Sequence, residues 1–167
     1  MINKKIKILS DNYINSYLES RNLLFNRSKM INSKNISRLE HYIWWLTNKR
    51  EMFLFTPEKN ILIFFWQEII SYNKKKYLVG GWHSNRIKIN LYYIIAILKW
   101  QLRRNKNKKV NYPWLAVVKN NNKSVLKLTN YLGYKIISRK NNYLFNVIKS
   151  IFSVSNKKYY FLYLKNN

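Results

Sequence analysis

The strictest constraint on this chain is a change of hydrophobic period between residues 61 and 118. Residues 61–70, Ile-Leu-Ile-Phe-Phe-Trp-Gln-Glu-Ile-Ile, are β-branched and aromatic. A polar stretch at 71–75 and a second apolar run at 77–82 follow, so a β-hairpin is predicted. Over residues 90–102 the period becomes 3.6: Leu91, Ile94, Ile95, Leu98 and Leu102 make one apolar stripe, with Ile97 off it. Residues 114–118 then read as a short buried strand. A hairpin, a one-striped helix and another strand are satisfied together by a sheet with helices packed on it, an α/β chain.

The flanking segments extend this order. Residues 5–9 alternate weakly as a first strand, and residues 13–25 carry apolar residues at near-helical spacing. Asn35 or Ser37 caps a helix over 38–46, and residues 52–55 form a strand before turn chemistry at 57–60. Residues 103–109 read as a basic polar loop. A helix over 123–132, opened by Asn122, stops at Gly133, the residue best suited to the left-handed conformation beyond a helix end. Residues 134–138, 143–148, 151–154 and 159–164 read as strands. No repeat or linker interrupts the pattern, so residues 1–167 are expected to be one domain.

Composition excludes several chemistries. Cysteine is absent, which removes disulfides, thiolate metal sites and a cysteine nucleophile. Two histidines, His41 and His83, and six carboxylates leave few ligands, and no metal is expected. The N-terminus, Met1 to Ile6, is basic but lacks the apolar region of a signal peptide. The longest apolar stretches, 61–66 and 91–98, fall short of the ~20 residues that span a bilayer, so a cytoplasmic location is expected. The net charge of +26 favours anionic partners. Much of it is what AT-rich coding produces, through Lys, Asn, Ile, Tyr and Phe. That account leaves unexplained why no Asp or Glu follows Glu68, although glutamate also has an A-rich codon.

The element order, β-α-α-β-β-β-α-β-α-β-β, is similar to that of the GNAT superfamily of acetyl-CoA-dependent N-acetyltransferases over nearly the whole chain. Residues 114–118 with Asn122, Val125, Leu128, Leu132, Gly133 and Tyr134 resemble that family's strand and Asn-initiated helix ending in Leu-Gly-aromatic. Residues 36–44, with His41 and Trp44 in H-x-x-W spacing, resemble the second helix of members that acetylate amino groups on nucleotide-linked sugars. The resemblance implies a mixed, mostly antiparallel twisted sheet with helices on both faces. It further implies acetyl-CoA as acyl donor and a small-molecule amine, of the nucleotide-sugar kind, as acceptor.

The resemblance also implies roles. Arg86 and Lys88 would meet the cofactor phosphates, and Val117 and Asn122 its pantetheine arm. His41, Trp44 and Trp82 would line the acceptor. His83 would be the general base, with Glu68 in reserve, and Tyr131 or Tyr134 would protonate the leaving thiolate. Two departures stand against this. The family's glycine-rich pyrophosphate loop is replaced by Gly80-Gly81-Trp82-His83-Ser84-Asn85-Arg86-Ile87-Lys88, and its usual tyrosine four residues before the glycine is Thr129. The alternatives are a non-enzymatic nucleic-acid-binding module, motivated by the charge and by 17% aromatic residues, and a GNAT-fold scaffold without turnover.

Overall fold

The computed structural model of the chain describes residues 5–155 and 157–165, so the first four residues of the N-terminal reading lie outside it. Seven strands are present among the described residues: β1 (Ile6–Ile8), β2 (Glu51–Phe55), β3 (Ile63–Tyr72), β4 (Lys75–Ser84), β5 (Trp114–Lys119), β6 (Lys135–Ile136) and β7 (Tyr159–Leu164). They form one sheet in the order β1-β2-β3-β4-β5-β7-β6. β4 and β5 pair in parallel, whereas β1 with β2, β2 with β3, β5 with β7 and β6 with β7 are antiparallel. The helices are α1 (Ile14–Asn22), α2 (Leu24–Arg27), α3 (Arg38–Thr47), α4 (Leu91–Asn107), α5 (Lys123–Tyr131) and α6 (Asn142–Phe152). The expected class, a mixed and mostly antiparallel sheet with helices, is the one observed. Residues divide into two compact units, 1–68 with 81–100 and 69–80 with 101–167.

In the first unit, β2 and β3 are apolar on both faces. Phe53 stacks on Phe65 with ring centroids 5.2 Å apart, and Trp100 of α4 meets both edge-on, while Tyr93 meets Phe55. The opposite face presents Leu54 and Phe64, which are buried with Leu9, Tyr17 of α1 and Trp45 of α3. α3 begins in a capping box: Ser37 Oγ accepts from the Glu40 amide, and Glu40 Oε2 accepts from the Ser37 amide at 2.8 Å. The helix expected over 13–25 is broken at Leu23, whose extended backbone separates α1 from α2.

α4 departs from its expectation in face and in length. Ile94 and Ile97 are buried, Leu91 is 53% exposed, and Ile95 and Leu98 are half-buried. The buried line runs Ile94, Ile97, Gln101, Asn105, and its last two members are polar, so a count of apolar residues cannot follow it. It carries the helix through residues expected to be a loop. Lys109, in the left-handed conformation, ends it, and the Val110 amide donates to the Asn105 carbonyl at 2.9 Å.

In the second unit, β5 runs beside β7 from Trp114↔Leu164 to Lys119↔Tyr159. The β3–β4 turn places Asn73 and Lys74 at positive φ, the two-residue turn that suits the twist of a hairpin. Gly133, at φ 88°, ends α5, and the Tyr134 amide returns to the Thr129 carbonyl at 3.0 Å. Residues 143–148 and 151–152, expected as strands, lie in α6 instead, and Ser153, in the left-handed conformation, ends it before Val154. Asn141 caps it, and Val147 and Ile148 are buried one turn beyond Leu144. Phe145 packs on Phe161 of β7 at 4.9 Å. The bulky β-formers are there because one helix face needs them, and the spacing of that face was masked by Tyr143, Phe145 and Phe152 between its members.

The corrected α4 face is testable. Replacing Ile97 by Asp buries an unpaired carboxylate and is expected to cost on the order of 4 kcal/mol, whereas Leu91→Asp should stay within about 0.5 kcal/mol. Chemical denaturation of both variants distinguishes this face from one centred on Leu91.

Candidate active site

Strand alternation places Phe64, Trp66 and Glu68 of β3 on the face covered by α1 and α3, with Gly81 and His83 of β4 on the same side. Across this surface α1 sets Tyr17, and α3 sets His41 and Trp44 one turn apart. Tyr17 is buried at the centre. Its ring stacks on His41 and Trp44, each at 5.7 Å, and meets His83 edge-on at 4.5 Å. Burial pushes its phenol up to about 12, against the opposing pull of the Arg50 and Arg21 charges and an Arg50 hydrogen bond.

Arg50 is the cation of this surface. Its guanidinium lies 3.8 Å over the Trp66 ring and 5.4 Å from that of Trp44, and its Nε donates to Glu68 Oε2 at 3.2 Å. Both partners of the ion pair keep about a third of their side chains in solvent. A Cβ on Gly81 would come within 3.0–3.2 Å of the Trp66 indole, so this glycine is what lets the indole lie flat against β4. Tyr17, Arg50 and Trp66 were not among the site residues expected from sequence. The Trp66-x-Glu68 alternation opposite a strand glycine was the signal that could have found the last of them.

His83 sits beneath this surface, 2% exposed, with Nδ1 2.9 Å from Ser20 Oγ. Its Nε2 has no hydrogen-bond partner among the described residues. Burial, with the Arg21 and His41 charges second, pushes its pKa down to about 3, so the imidazole is neutral. Asn26 ties the neighbourhood together, donating to the Ser20 carbonyl at 2.7 Å and the Ser84 carbonyl at 2.6 Å. Arg21, buried without a carboxylate, donates to the Lys34 carbonyl and, at 2.7 Å, to that of Asn32. His41 is also buried, with Nε2–H donating to the Ile14 carbonyl at 3.0 Å, and burial lowers its pKa.

Of the expected acceptor residues, His41 and Trp44 therefore come together with Glu68 and His83 on one face, and Trp44 is the one of the pair with an open edge. Trp82, the strand neighbour of His83, points to the opposite face. Arg86 and Lys88 are exposed in the segment between β4 and α4. At the start of α4, Asn90 Oδ1 takes the Tyr92 amide at 2.9 Å and the Asn90 carbonyl takes that of Tyr93. An anion there meets side-chain charge rather than a backbone cradle. Val117, Asn122, Tyr131 and Tyr134 belong to the second unit. Val117 and Asn122 are half-buried, and Asn122 heads α5 without a side-chain capping bond. Tyr131 is exposed, and burial raises the phenol of Tyr134. Thr129, at the tyrosine position of the resembled family, is buried with its hydroxyl donating to the Leu126 carbonyl.

No family model matches the chain, and no curated protein matches it. Solved structures match its fold. An N-acetyltransferase from Staphylococcus aureus Mu50 superposes with a TM-score of 0.71 at 14% identity, over 97% of this chain and 98% of that one. An acetyltransferase of the GNAT family from Streptococcus pneumoniae gives 0.69 at 8%, over 97% and 98%. The Campylobacter jejuni N-acetyltransferase PseH in complex with acetyl coenzyme A gives 0.59 at 16%, over 97% and 99%. The chain has the GNAT fold. Among the described residues no helix is long and apolar enough to cross a membrane, and no three His, Asp or Glu side chains are grouped to hold a metal ion.

The buried imidazole sets a pH dependence. Above pH 6.5 folded and unfolded chains both carry a neutral His83; as pH falls from 6.5 towards 3 only the unfolded chain takes up the proton, so stability is lost. Over that window the wild type should lose about 1.4 kcal/mol per pH unit more than His83→Gln, measured by urea denaturation.

Proposed function

We propose that the chain is an acetyl-CoA-dependent N-acetyltransferase whose acceptor amine is taken at the Trp44, Trp66 and Glu68 surface, which Tyr17 supports from beneath. The observation that carries this is the arrangement of Trp44 and Trp66 around a cation paired with Glu68, on a fold shared over nearly its whole length with N-acetyltransferases. Indole faces and a carboxylate are the groups that recognise an ammonium, and here they surround the guanidinium of Arg50. The H-x-x-W resemblance supports an amino group on a nucleotide-linked sugar as acceptor, with Trp44 as the accessible member and His41 holding its place in the stack.

Acetyl-CoA, when bound, supplies an activated acetyl thioester. Arg86 and Lys88 fit its phosphates by charge, each being exposed beside the first turn of α4. Glu68 would draw the ammonium to the surface and take its first proton, leaving the amine lone pair free; as the C–N bond formed and the C–S bond broke, the second proton given up by the nitrogen would go to the departing sulfur. Trp44 and Trp66 exclude water and fix the approach. His83 is a positioning residue in this reading: neutral, sealed and bonded to Ser20, it holds the end of β4 against α1. Direct attack follows from the absence of a cysteine and of a Ser/His/acid arrangement.

A scaffold without turnover is the alternative, favoured by the Asn90 contacts that occupy the first amides of α4. Calorimetry with acetyl-CoA and a rate assay with amino-sugar nucleotides separate the two. Glu68→Gln should lower kcat/KM by about 10²–10⁴-fold with acetyl-CoA affinity unchanged. Arg86→Ala combined with Lys88→Ala should weaken acetyl-CoA binding and leave the fold intact. Wild-type rates in Glu68→Gln would remove Glu68 from the mechanism, and failure of the wild type to bind acetyl-CoA would leave the scaffold reading.

A further inference from the structure

The second unit contains a cavity of about 340 Å³ that the acetyl-transfer reading does not use, bounded by Lys75, Lys76, Tyr77, Pro113, Tyr143 and Tyr163. Its size falls in the range of small-molecule sites. Its lining is of two kinds. Lys75 Nζ stands 4.7 Å from the Tyr143 ring centroid, and Lys76 Nζ stands 5.6 Å from that of Tyr112. Each ammonium thus lies within cation–π reach of a tyrosine ring. The Tyr77 and Tyr143 hydroxyls lie 3.2 Å apart. One phenolic proton bridges them, and the other is left to donate to a third oxygen.

The unit that holds this cavity begins at Ile69 and contributes no Asp or Glu side chain to it, since every Asp and Glu of the chain lies at or before Glu68. Two lysines in the lining, a spare phenolic proton and a tyrosine, Tyr143, that is 44% exposed are groups that take phosphate oxygens and a base together. A simple anion would need only the lysines, and an apolar ligand would not need them. We infer that this cavity binds a nucleotide unit, its phosphate on Lys75 and Lys76 and its base against Tyr143 and Tyr163. Tyr77 stays protonated, since burial and the Tyr143 contact raise its phenol, and so keeps the bridge to the Tyr143 hydroxyl.

The unit comes either from a free nucleotide or from a single strand, and both carry the same chemistry. Calorimetry on the full chain with uridine monophosphate and with an oligothymidylate of roughly ten residues, at about 50 and 200 mM salt, distinguishes them. Neither probe carries the adenosine of acetyl-CoA. Similar affinity for both identifies a free nucleotide. Much tighter oligonucleotide binding, with a salt slope of about −0.7 per phosphate, identifies a strand. In either case Lys75→Glu with Lys76→Glu should weaken binding by about tenfold or more, and Tyr143→Ala by at least about fivefold. The charge-matched control, Lys149→Glu with Lys157→Glu, should stay within about threefold. No binding of either probe, equal loss in control and test pairs, or full affinity in Lys75→Glu with Lys76→Glu overturns the assignment.

Discussion

β2 and β3 are apolar on both faces, and the rest of the first unit follows from having to cover them twice. Phe53, Phe55 and Phe65 take the α4 side and Leu54 and Phe64 take the side of α1 and α3. A strand with one wet face would have needed only one helix layer. The second layer brings backbone and polar side chains of α1 into the interior, where they have to be satisfied. Ser20 meets His83, Asn26 bridges two carbonyls, and Arg21 is clothed in carbonyl oxygens. The buried polar group is thus a consequence of two-sided packing, which is why His83 is neutral and buried.

The same geometry makes the exposed rim of that face chemically selective. Gly81 lets Trp66 lie against β4, Trp66 supports Arg50, and Arg50 holds Glu68. Each contact positions the next, and a side chain at residue 81 would disturb the first. A partly exposed ion pair of this kind contributes little to stability, about 0–1 kcal/mol, so the indole contacts rather than the pair itself fix where Arg50 lies.

How much of this was legible in the sequence varied with the kind of interaction. The hairpin over β3 and β4, the Ser37–Glu40 box and the end of α5 at Gly133 depend on local chemistry and were readable. The face of α4 was misread because Gln101 and Asn105, both buried, carry the core line through polar residues. α6 was misread because Tyr143, Phe145, Val147, Ile148, Ile151 and Phe152 are strand formers whose tertiary partners hold them in a helix. In the candidate site, His41, Trp44, Glu68 and His83 were named, but their division into buried supports and an accessible rim depends on register across β3 and β4. Arg50 lies between motifs, in a segment with no pattern to mark it.

The uneven charge has a structural reading that coding bias alone does not provide. Five of the six carboxylates in the first unit perform a defined task. Asp11 accepts from the Trp45 indole, Glu40 caps α3, Glu51 holds Gln67, Glu58 accepts from Tyr93 and Glu68 pairs with Arg50. In the second unit the comparable tasks fall to asparagine. Asn141 caps α6, and Asn120 donates to the Lys157 carbonyl at 2.9 Å. Asparagine caps a helix about as well as aspartate does, so this choice costs the fold little while adding no negative side chain to a unit rich in lysine. The repulsion that results is a standing cost to compactness, and an anionic ligand relieves it wherever it binds. The electrostatics of the second unit therefore favour an anionic ligand independently of any one side chain.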